Sequence, residues 1–306
     1  MSSILLKPNQ LLQRPDYANI VLEWKSDAER EEYEHNKKKV DPYYHKNPIV
    51  YKHNCMGYRS KEIGCTDGDF LLAMGCSITE GLALHEEDIW CTRLAEDLDL
   101  DLINLGLSGA GMPAVLLNTM RYIDNGYQYP KIVVIQHPER ARMLHAQFVT
   151  DDGEQRLHLE TSPLYDRRKE ELDWLDNNIT AFVHSGIYTD LITKLWNSVG
   201  VPVLHWTMNG DGEDFLSKYF VLEFPHDLDP SDDLVFDLAR DLSHAGRAVH
   251  KRITAGLLPH AQALLESDSL NMPAQLNRKR DLDKRSAYKH FIKKAIQIHK
   301  QEKPNE

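Results

Sequence analysis

Short apolar runs alternate with amphipathic segments through the middle of this chain, and the alternation limits the fold more than any other feature. Four strand candidates stand out: FLLAMG at 70–75, LINLGLSG at 102–109, KIVVIQH at 131–137 and VPVLHWT at 201–207. A fifth short strand is expected within YFVLEF at 219–224. KIVVIQH is almost continuously apolar, which is typical of a strand buried on both faces of a sheet.

The segments between these strands have helical patterns. In EEDIWCTRLAEDL, the residues Trp90, Leu94 and Leu98 are four apart and share one helical face. Further helices are expected at 113–126, 181–200 and 243–265. Alternating strands and helices predict an α/β fold with a parallel sheet covered on both faces. Right-handed crossovers bring the carboxyl ends of all strands to one side, where such folds build their sites.

The whole chain divides into three segments that differ in composition. We expect residues 1–48 to be an N-terminal extension, 49–266 the α/β domain and 267–306 a basic tail. The charged stretch DAEREEYEHNKKKV in the extension predicts a surface helix without a function of its own. A polar insertion at 146–180 is either a surface excursion or a lid over the site, in which Tyr165 or Trp174 would meet substrate.

The tail contains NRKRDLDKRSAYKHFIKKAIQIHK, which is basic and partly amphipathic. One interpretation is a helix packed on the domain, or a solvated tail. The other is a contact with a protein partner, nucleic acid or a membrane surface. The pattern favours the first interpretation and leaves the second open.

Composition is that of a soluble globular protein, with 306 residues, a formal net charge of -11 and 42% hydrophobic residues. The acidic balance argues against a general nucleic-acid-binding protein. No run approaches the roughly 20 apolar residues that span a bilayer. The N-terminus lacks the apolar core of a signal peptide, so we expect a cytoplasmic protein, and association with a virion is left open.

The four cysteines, Cys55, Cys65, Cys76 and Cys91, include no C-x-x-C pair. This spacing argues against a zinc site. We expect free thiols in a reducing compartment, with a disulfide between two of them left open.

The motif GCSITEG at 75–81 follows the first core strand directly and places Ser77 in a turn that leads toward a helix. A hydroxyl there lies near backbone N–H groups, which can stabilise an oxyanion as well as bind phosphate. No lysine follows the second glycine, so the motif is not a P-loop. The alternative is a plain turn in which Ser77 only caps the helix.

A serine nucleophile needs a histidine base held in one tautomer by a carboxylate. The motif ARDLSHAGRAVH puts Asp241 and His244 three residues apart, on the loop before the last core helix. In a doubly wound sheet that loop can reach the edge where Ser77 lies. The alternative is that Asp241 caps the helix and His244 is an ordinary exposed residue.

Three motifs, GCSITEG, NLGLSGAG and DLSHAG, resemble in order three of the four sequence blocks of the SGNH (GDSL-type) hydrolases. Cys76 stands where aspartate is usual, and the upstream NCMGYRSKE is similar to a lead-in of some branches. The resemblance covers roughly residues 50–260. It implies a three-layer α/β/α fold with a flavodoxin-like parallel sheet of about five strands.

The resemblance also implies roles: Ser77 as nucleophile, His244 as base, Asp241 as the group that orients it, and the Gly109 N–H as an oxyanion donor. The third block departs from the family pattern, because VVIQHPERARML has no asparagine where the family uses one as an oxyanion donor. Arg140 falls close to that place, and Gln136 is nearby, so either could be a substitute donor.

These roles predict a serine ester hydrolase that needs no metal or organic cofactor. Its substrate would be an O-acetyl group on a glycan, or another small acyl ester. Two alternatives stay open: a binding or structural module, of a kind that would suit a viral context, that has kept the fold without the chemistry, and an acyltransferase that uses the same residues but excludes water.

Overall fold

A computed structural model describes residues 4–5, 10–138, 142–151, 154–163, 179–208, 221–223, 237–267 and 269–271. The strands are β1 (Ile4–Leu5), β2 (Val21–Leu22), β3 (Tyr51–Lys52), β4 (Phe70–Gly75), β5 (Asp101–Gly106), β6 (Ile132–His137), β7 (Arg142–Asp151), β8 (Glu154–Pro163), β9 (Val203–Thr207) and β10 (Val221–Glu223). The helices are α1 (Asp27–Asn36), α2 (Tyr43–Lys46), α3 (Ser77–Glu80), α4 (Trp90–Asp97), α5 (Met112–Asp124), α6 (Ile179–Ser198) and α7 (Arg247–Glu266).

The central sheet has five parallel strands in the order β10-β9-β6-β4-β5. Numbered along the chain within this sheet, the order is 2-1-3-4-5 from the β5 edge, which is the flavodoxin-like order. The predicted fold class is confirmed, and all five predicted strands are present. The order reverses at β4, so the crevice at the carboxyl end of β4 is where such a sheet binds its ligand.

Side chains of the central strands alternate between two buried layers. Leu71, Ala73 and Trp206 pack with α4 and α7 on one face, while Leu72 and Met74 pack with α5 and α6 on the other. Each strand residue therefore has a helix to bury against, which explains the continuous apolar runs of the sequence. Trp90 of α4 meets Trp206 edge to face with ring centroids 5.1 Å apart, an arrangement worth about 0.5–1.5 kcal/mol beyond its buried area.

The N-terminal part of the chain packs into the same two layers. Leu11 and Leu12 are fully buried in the α5 and α6 layer, and Tyr33, the one buried residue of α1, joins the other layer. Most of α1 is exposed, as expected for a charged surface helix. Part of the predicted insertion forms the antiparallel pair β7 and β8, with β1 added at the β8 edge.

Two regions singled out in the sequence lie outside the described residues. Tyr165 and Trp174 of the insertion belong to 164–178, and nearly all of the basic tail belongs to 272–306. Their predicted roles, as a lid and as a partner contact, stay predictions.

Candidate active site

Ser77 begins the one-turn helix α3 immediately after β4. The turn is tight enough to require glycine at its start, since a Cβ on Gly75 would lie 2.2 Å from Thr79 Oγ1 and 2.7 Å from Gln136 Oε1. Ser77 is 6% exposed, and its position is the carboxyl end of the strand at which the sheet order reverses. The serine of GCSITEG therefore lies in the crevice where the fold builds its sites.

His244 and Asp241 come from the loop that precedes α7, and the structure brings both to Ser77. The distance from His244 Nε2 to Ser77 Oγ is 2.9 Å, and that from His244 Nδ1 to Asp241 Oδ2 is 2.6 Å. Asp241 Oδ1 also accepts the backbone N–H groups of Ser243, at 3.1 Å, and of His244, at 3.0 Å. One carboxylate oxygen thus holds the loop while the other holds the imidazole.

The hydrogen bonds define the histidine tautomer. A carboxylate only accepts, so His244 Nδ1 donates to Asp241, and Nε2 is left to accept the Ser77 hydroxyl. Burial alone would raise the pKa of Asp241, but the hydrogen bond and charge of His244 and the two loop N–H groups together lower it below its usual value. Asp241 is therefore ionised at neutral pH, as an orienting acceptor must be.

Two backbone N–H groups are candidates to hold an oxyanion. Gly109 follows β5 with a φ of 81°, a left-handed conformation that favours glycine. Within the described part of the chain, neither the Gly109 N–H nor the Ser77 N–H has a hydrogen-bond acceptor. Both donors are thus available to a ligand, each at the carboxyl end of a neighbouring strand.

Gln136, the predicted substitute donor of the third block, is 3% exposed at the end of β6. Its Oε1 accepts the Cys76 N–H at 2.9 Å and lies 3.3 Å from Thr79 Oγ1. Its Nε2 donates to the His137 carbonyl at 2.8 Å. One amide hydrogen is therefore engaged, and the second has no acceptor among the residues described, so a donor role stays a prediction.

Cys76 and Gln136 belong to the two blocks that depart from the family pattern, and they contact each other. Cys76 Sγ lies 3.1 Å from Gln136 Oε1, and both side chains are buried. Gln136 thereby ties the nucleophile turn to the neighbouring strand. Arg140, the other candidate donor, lies outside the described residues, in the gap at 139–141.

Sequence reasoning missed a buried ionic cluster directly behind Ser77. Glu80, at the other end of α3, has a 3.0 Å contact with Arg14, an ion pair with Lys25, and 2.7 Å and 2.5 Å hydrogen bonds from the N–H and hydroxyl of Ser108. Burial alone would raise the pKa of Glu80, but the charges of Lys25 and Arg14 lower it well below its usual value. The only sequence signal was an acidic residue inside an otherwise uncharged turn.

Metal binding has no support in the described parts of the chain, where no three His, Cys, Asp or Glu side chains group as a possible metal site. The four cysteines are free thiols. Among the described helices, none combines the length and the apolar character needed to cross a bilayer.

Comparison with protein-family models and with curated proteins gives no match. Solved structures with similarity include the psychrotrophic esterase EstA from a Pseudoalteromonas species, with a TM-score of 0.40, 13% identity and coverage of 65% of this chain and 100% of that one. The acetyl xylan esterase Est2A from the rumen bacterium Butyrivibrio proteoclasticus has a TM-score of 0.40, 14% identity and coverage of 67% and 66%. A member of the lipolytic protein G-D-S-L family from Veillonella parvula has a TM-score of 0.37, 13% identity and coverage of 63% and 97%.

The fold of this chain is established by the strand order of its central sheet. The chain has the flavodoxin-like α/β fold that the sequence resemblance implies.

Proposed function

We propose that the chain is a serine ester hydrolase with Ser77 as nucleophile, His244 as base and Asp241 as the group that orients the base. One observation carries the proposal: the continuous chain of hydrogen bonds from Ser77 Oγ through His244 to Asp241, at 2.9 Å and 2.6 Å. In the neutral imidazole, these contacts leave Nε2 free to accept the Ser77 proton, as the chemistry needs.

In the first half of the reaction, Ser77 Oγ attacks the acyl carbonyl carbon and His244 Nε2 takes the hydroxyl proton. Negative charge then develops on the carbonyl oxygen, and the N–H groups of Ser77 and Gly109 are the proposed donors to it. Gln136 and Arg140 are the candidates for a third donor. The imidazolium is stabilised by the adjacent Asp241 carboxylate.

In the second half, the bond to the leaving alcohol breaks as His244 returns its proton to the alcohol oxygen. An acyl group remains on Ser77 Oγ. Water, deprotonated by His244, attacks this ester and releases the carboxylic acid, which restores the serine hydroxyl. The proposed substrates are small acyl esters, with O-acetylated carbohydrates as the first class to test.

The test is a panel of p-nitrophenyl acyl esters and acetylated sugars with the wild type, Ser77→Ala and Ser185→Ala. Ser185 is a buried serine of α6 that is 4% exposed, so it is a matched control for loss of a buried hydroxyl. We expect Ser77→Ala to lose activity with little change in melting temperature, and Ser185→Ala to keep it. A fluorophosphonate should label Ser77 in the wild type and in Ser185→Ala.

Equal activity of the wild type and Ser77→Ala, after removal of contaminating esterases, would disprove the mechanism. No labelling of the wild type by the fluorophosphonate would instead favour a binding module that has kept only the fold. Adding an acceptor alcohol or sugar separates hydrolysis from acyl transfer, because a transferase would give a new ester in place of free acid.

A further inference from the structure

We propose that Glu80 is a positioning residue that holds the Ser108–Gly109 segment against the nucleophile turn, with Arg14 and Lys25 supplying the positive charge behind it. This inference rests on the proposed function. It assigns a task in the reaction to the N-terminal segment (residues 10–26), which the sequence marked only as an extension.

The first step is the position of Glu80 between the two proposed oxyanion donors. Ser77 and Glu80 are the first and last residues of α3. Glu80 Oε2 accepts both the Ser108 N–H, at 2.7 Å, and the Ser108 hydroxyl, at 2.5 Å. Because Gly109 is the next residue along the chain, one side chain sets the spacing between the Ser77 N–H and the Gly109 N–H.

The packing beneath this bridge is tight. A Cβ on Gly106, the last residue of β5, would lie 2.3 Å from the Glu80 backbone nitrogen. The end of β5 therefore touches α3 directly. Oxyanion donors act through preorganised geometry, and a misplacement of about 1 Å can lower a rate about 100-fold.

The second step concerns charge. A lone carboxylate behind an oxyanion site would oppose the charge that develops there. Arg14 and Lys25 both pair with Glu80, so these three side chains together carry a charge of +1. Lys25 Nζ also lies 2.9 Å from Ser108 Oγ, and the Lys25 side chain is only 9% exposed. At such burial, the positive charge acts through a low dielectric and favours the oxyanion.

The third step is that the fold itself holds these cations in place. The Leu12 N–H donates to Asn118 Oδ1 at 2.9 Å, the Tyr58 hydroxyl donates to the Leu12 carbonyl at 2.6 Å, and the Arg14 N–H donates to the Met56 carbonyl at 3.0 Å. The Leu11–Arg14 part of the N-terminal segment is thus bonded into the domain, with Leu11, Leu12 and Arg14 buried.

The experiment compares Ser108→Ala, Ser108→Thr and Glu80→Gln with the wild type, and uses Ser198→Ala and Glu34→Gln as exposed controls. Three quantities are measured: kcat and KM on the best ester, the rate of Ser77 phosphonylation by a fluorophosphonate, and the melting temperature. We expect Ser108→Ala to lower kcat and the phosphonylation rate about 10- to 100-fold while KM changes little. Ser108→Thr keeps the hydroxyl and should recover most of the rate.

Unchanged kcat and phosphonylation rate in Ser108→Ala would overturn the inference, and so would a loss confined to KM. Ser108→Ala keeps the backbone bond to Glu80, so it remains informative if Glu80→Gln fails to fold. These results differ from failure of the proposed function, in which the wild type itself would be neither active nor phosphonylated, and both proposals would fall together.

Discussion

Asp241 holds His244 twice: Oδ2 lies 2.6 Å from the ring atom Nδ1, and Oδ1 accepts the backbone N–H of the same residue at 3.0 Å. Leu242 between them has a φ of 54°, a left-handed conformation that is uncommon for a non-glycine residue. The carboxylate therefore compensates for a strained loop and orients the imidazole at the same time. Such strain persists only where the surrounding structure enforces it.

We predict that Asp241→Asn lowers kcat by about 10⁴-fold. An amide can still accept the loop N–H groups through its oxygen, so the loop should keep its shape. Its NH₂ group would donate toward Nδ1, however, and so favour the tautomer in which Nε2 carries the proton and cannot take one from Ser77. The measurement is kcat beside the melting temperature.

Asp69→Asn is the matched control, since Asp69 has a side chain that is 62% exposed and pairs with Lys131 across the surface. It should leave kcat unchanged. An Asp241→Asn enzyme within about tenfold of the wild type would contradict the assigned role of Asp241.

Gln136 gives a second prediction, about stability. Gln136→Met removes the acceptor of the buried Cys76 N–H and should lower the free energy of unfolding by about 1–3 kcal/mol, the cost of an unsatisfied buried donor. Because Cys76 precedes Ser77, we also expect a lower kcat. Urea unfolding monitored by fluorescence measures the first quantity, and ester hydrolysis the second.

Gln262→Met is the control, because Gln262 is exposed on α7 and its loss should leave stability nearly unchanged. If Gln136→Met loses stability but keeps kcat, Gln136 is a support of the turn and not an oxyanion donor. Full stability and full activity together would contradict the assigned contacts.

The sheet could be predicted well from the sequence because its information is local. FLLAMG matches β4 residue for residue, and KIVVIQH differs from β6 only by Lys131. Apolar runs of this kind have few alternatives once helices alternate with them. The flavodoxin-like strand order was expected from the family resemblance, because the hydrophobic pattern of a sequence does not indicate which strands are neighbours in the sheet.

The site was predicted only where a motif carried it. Ser77, Asp241 and His244 stand in recognisable blocks, whereas Glu80 is held by Arg14 and Lys25, which lie 66 and 55 residues away in the chain. Such long-range ion pairs have no spacing rule, so a surface extension was the natural expectation. The contact between Cys76 and Gln136 could not be predicted for the same reason, because Gln136 lies 60 residues further along the chain.

Gly75 gives a prediction about the nucleophile turn. Gly75→Ala forces a Cβ to within 2.2 Å of Thr79 Oγ1, so we expect a loss of about 1–3 kcal/mol in unfolding free energy and a large loss of kcat as Ser77 shifts. Gly68→Ala, where an added Cβ meets nothing within 4 Å, is the control and should be neutral or slightly stabilising. A Gly75→Ala protein with wild-type stability and kcat would show that the turn can relax.

The last prediction is that kcat falls at alkaline pH because Lys25 loses its proton. Burial and the charges of Arg14 and Arg59 lower the pKa of Lys25 to about 8, against the opposing charge and hydrogen bond of Glu80. His53, also buried, faces the same carboxylate with its Nε2 4.0 Å from Glu80 Oε1. Below pH 8 the ammonium is charged and the cluster carries +1.

As the pH rises through 8, Lys25 loses its proton and the local charge falls to zero, so kcat should fall over the same range. Lys25→Arg keeps its charge to far higher pH and should keep kcat at pH 9, provided that it folds with the wild-type melting temperature. Lys52→Arg, at an exposed lysine of β3, should retain the wild-type profile. If Lys25→Arg shows the same fall near pH 8 as the wild type, another group causes that fall, and the charge of Lys25 does not assist the reaction.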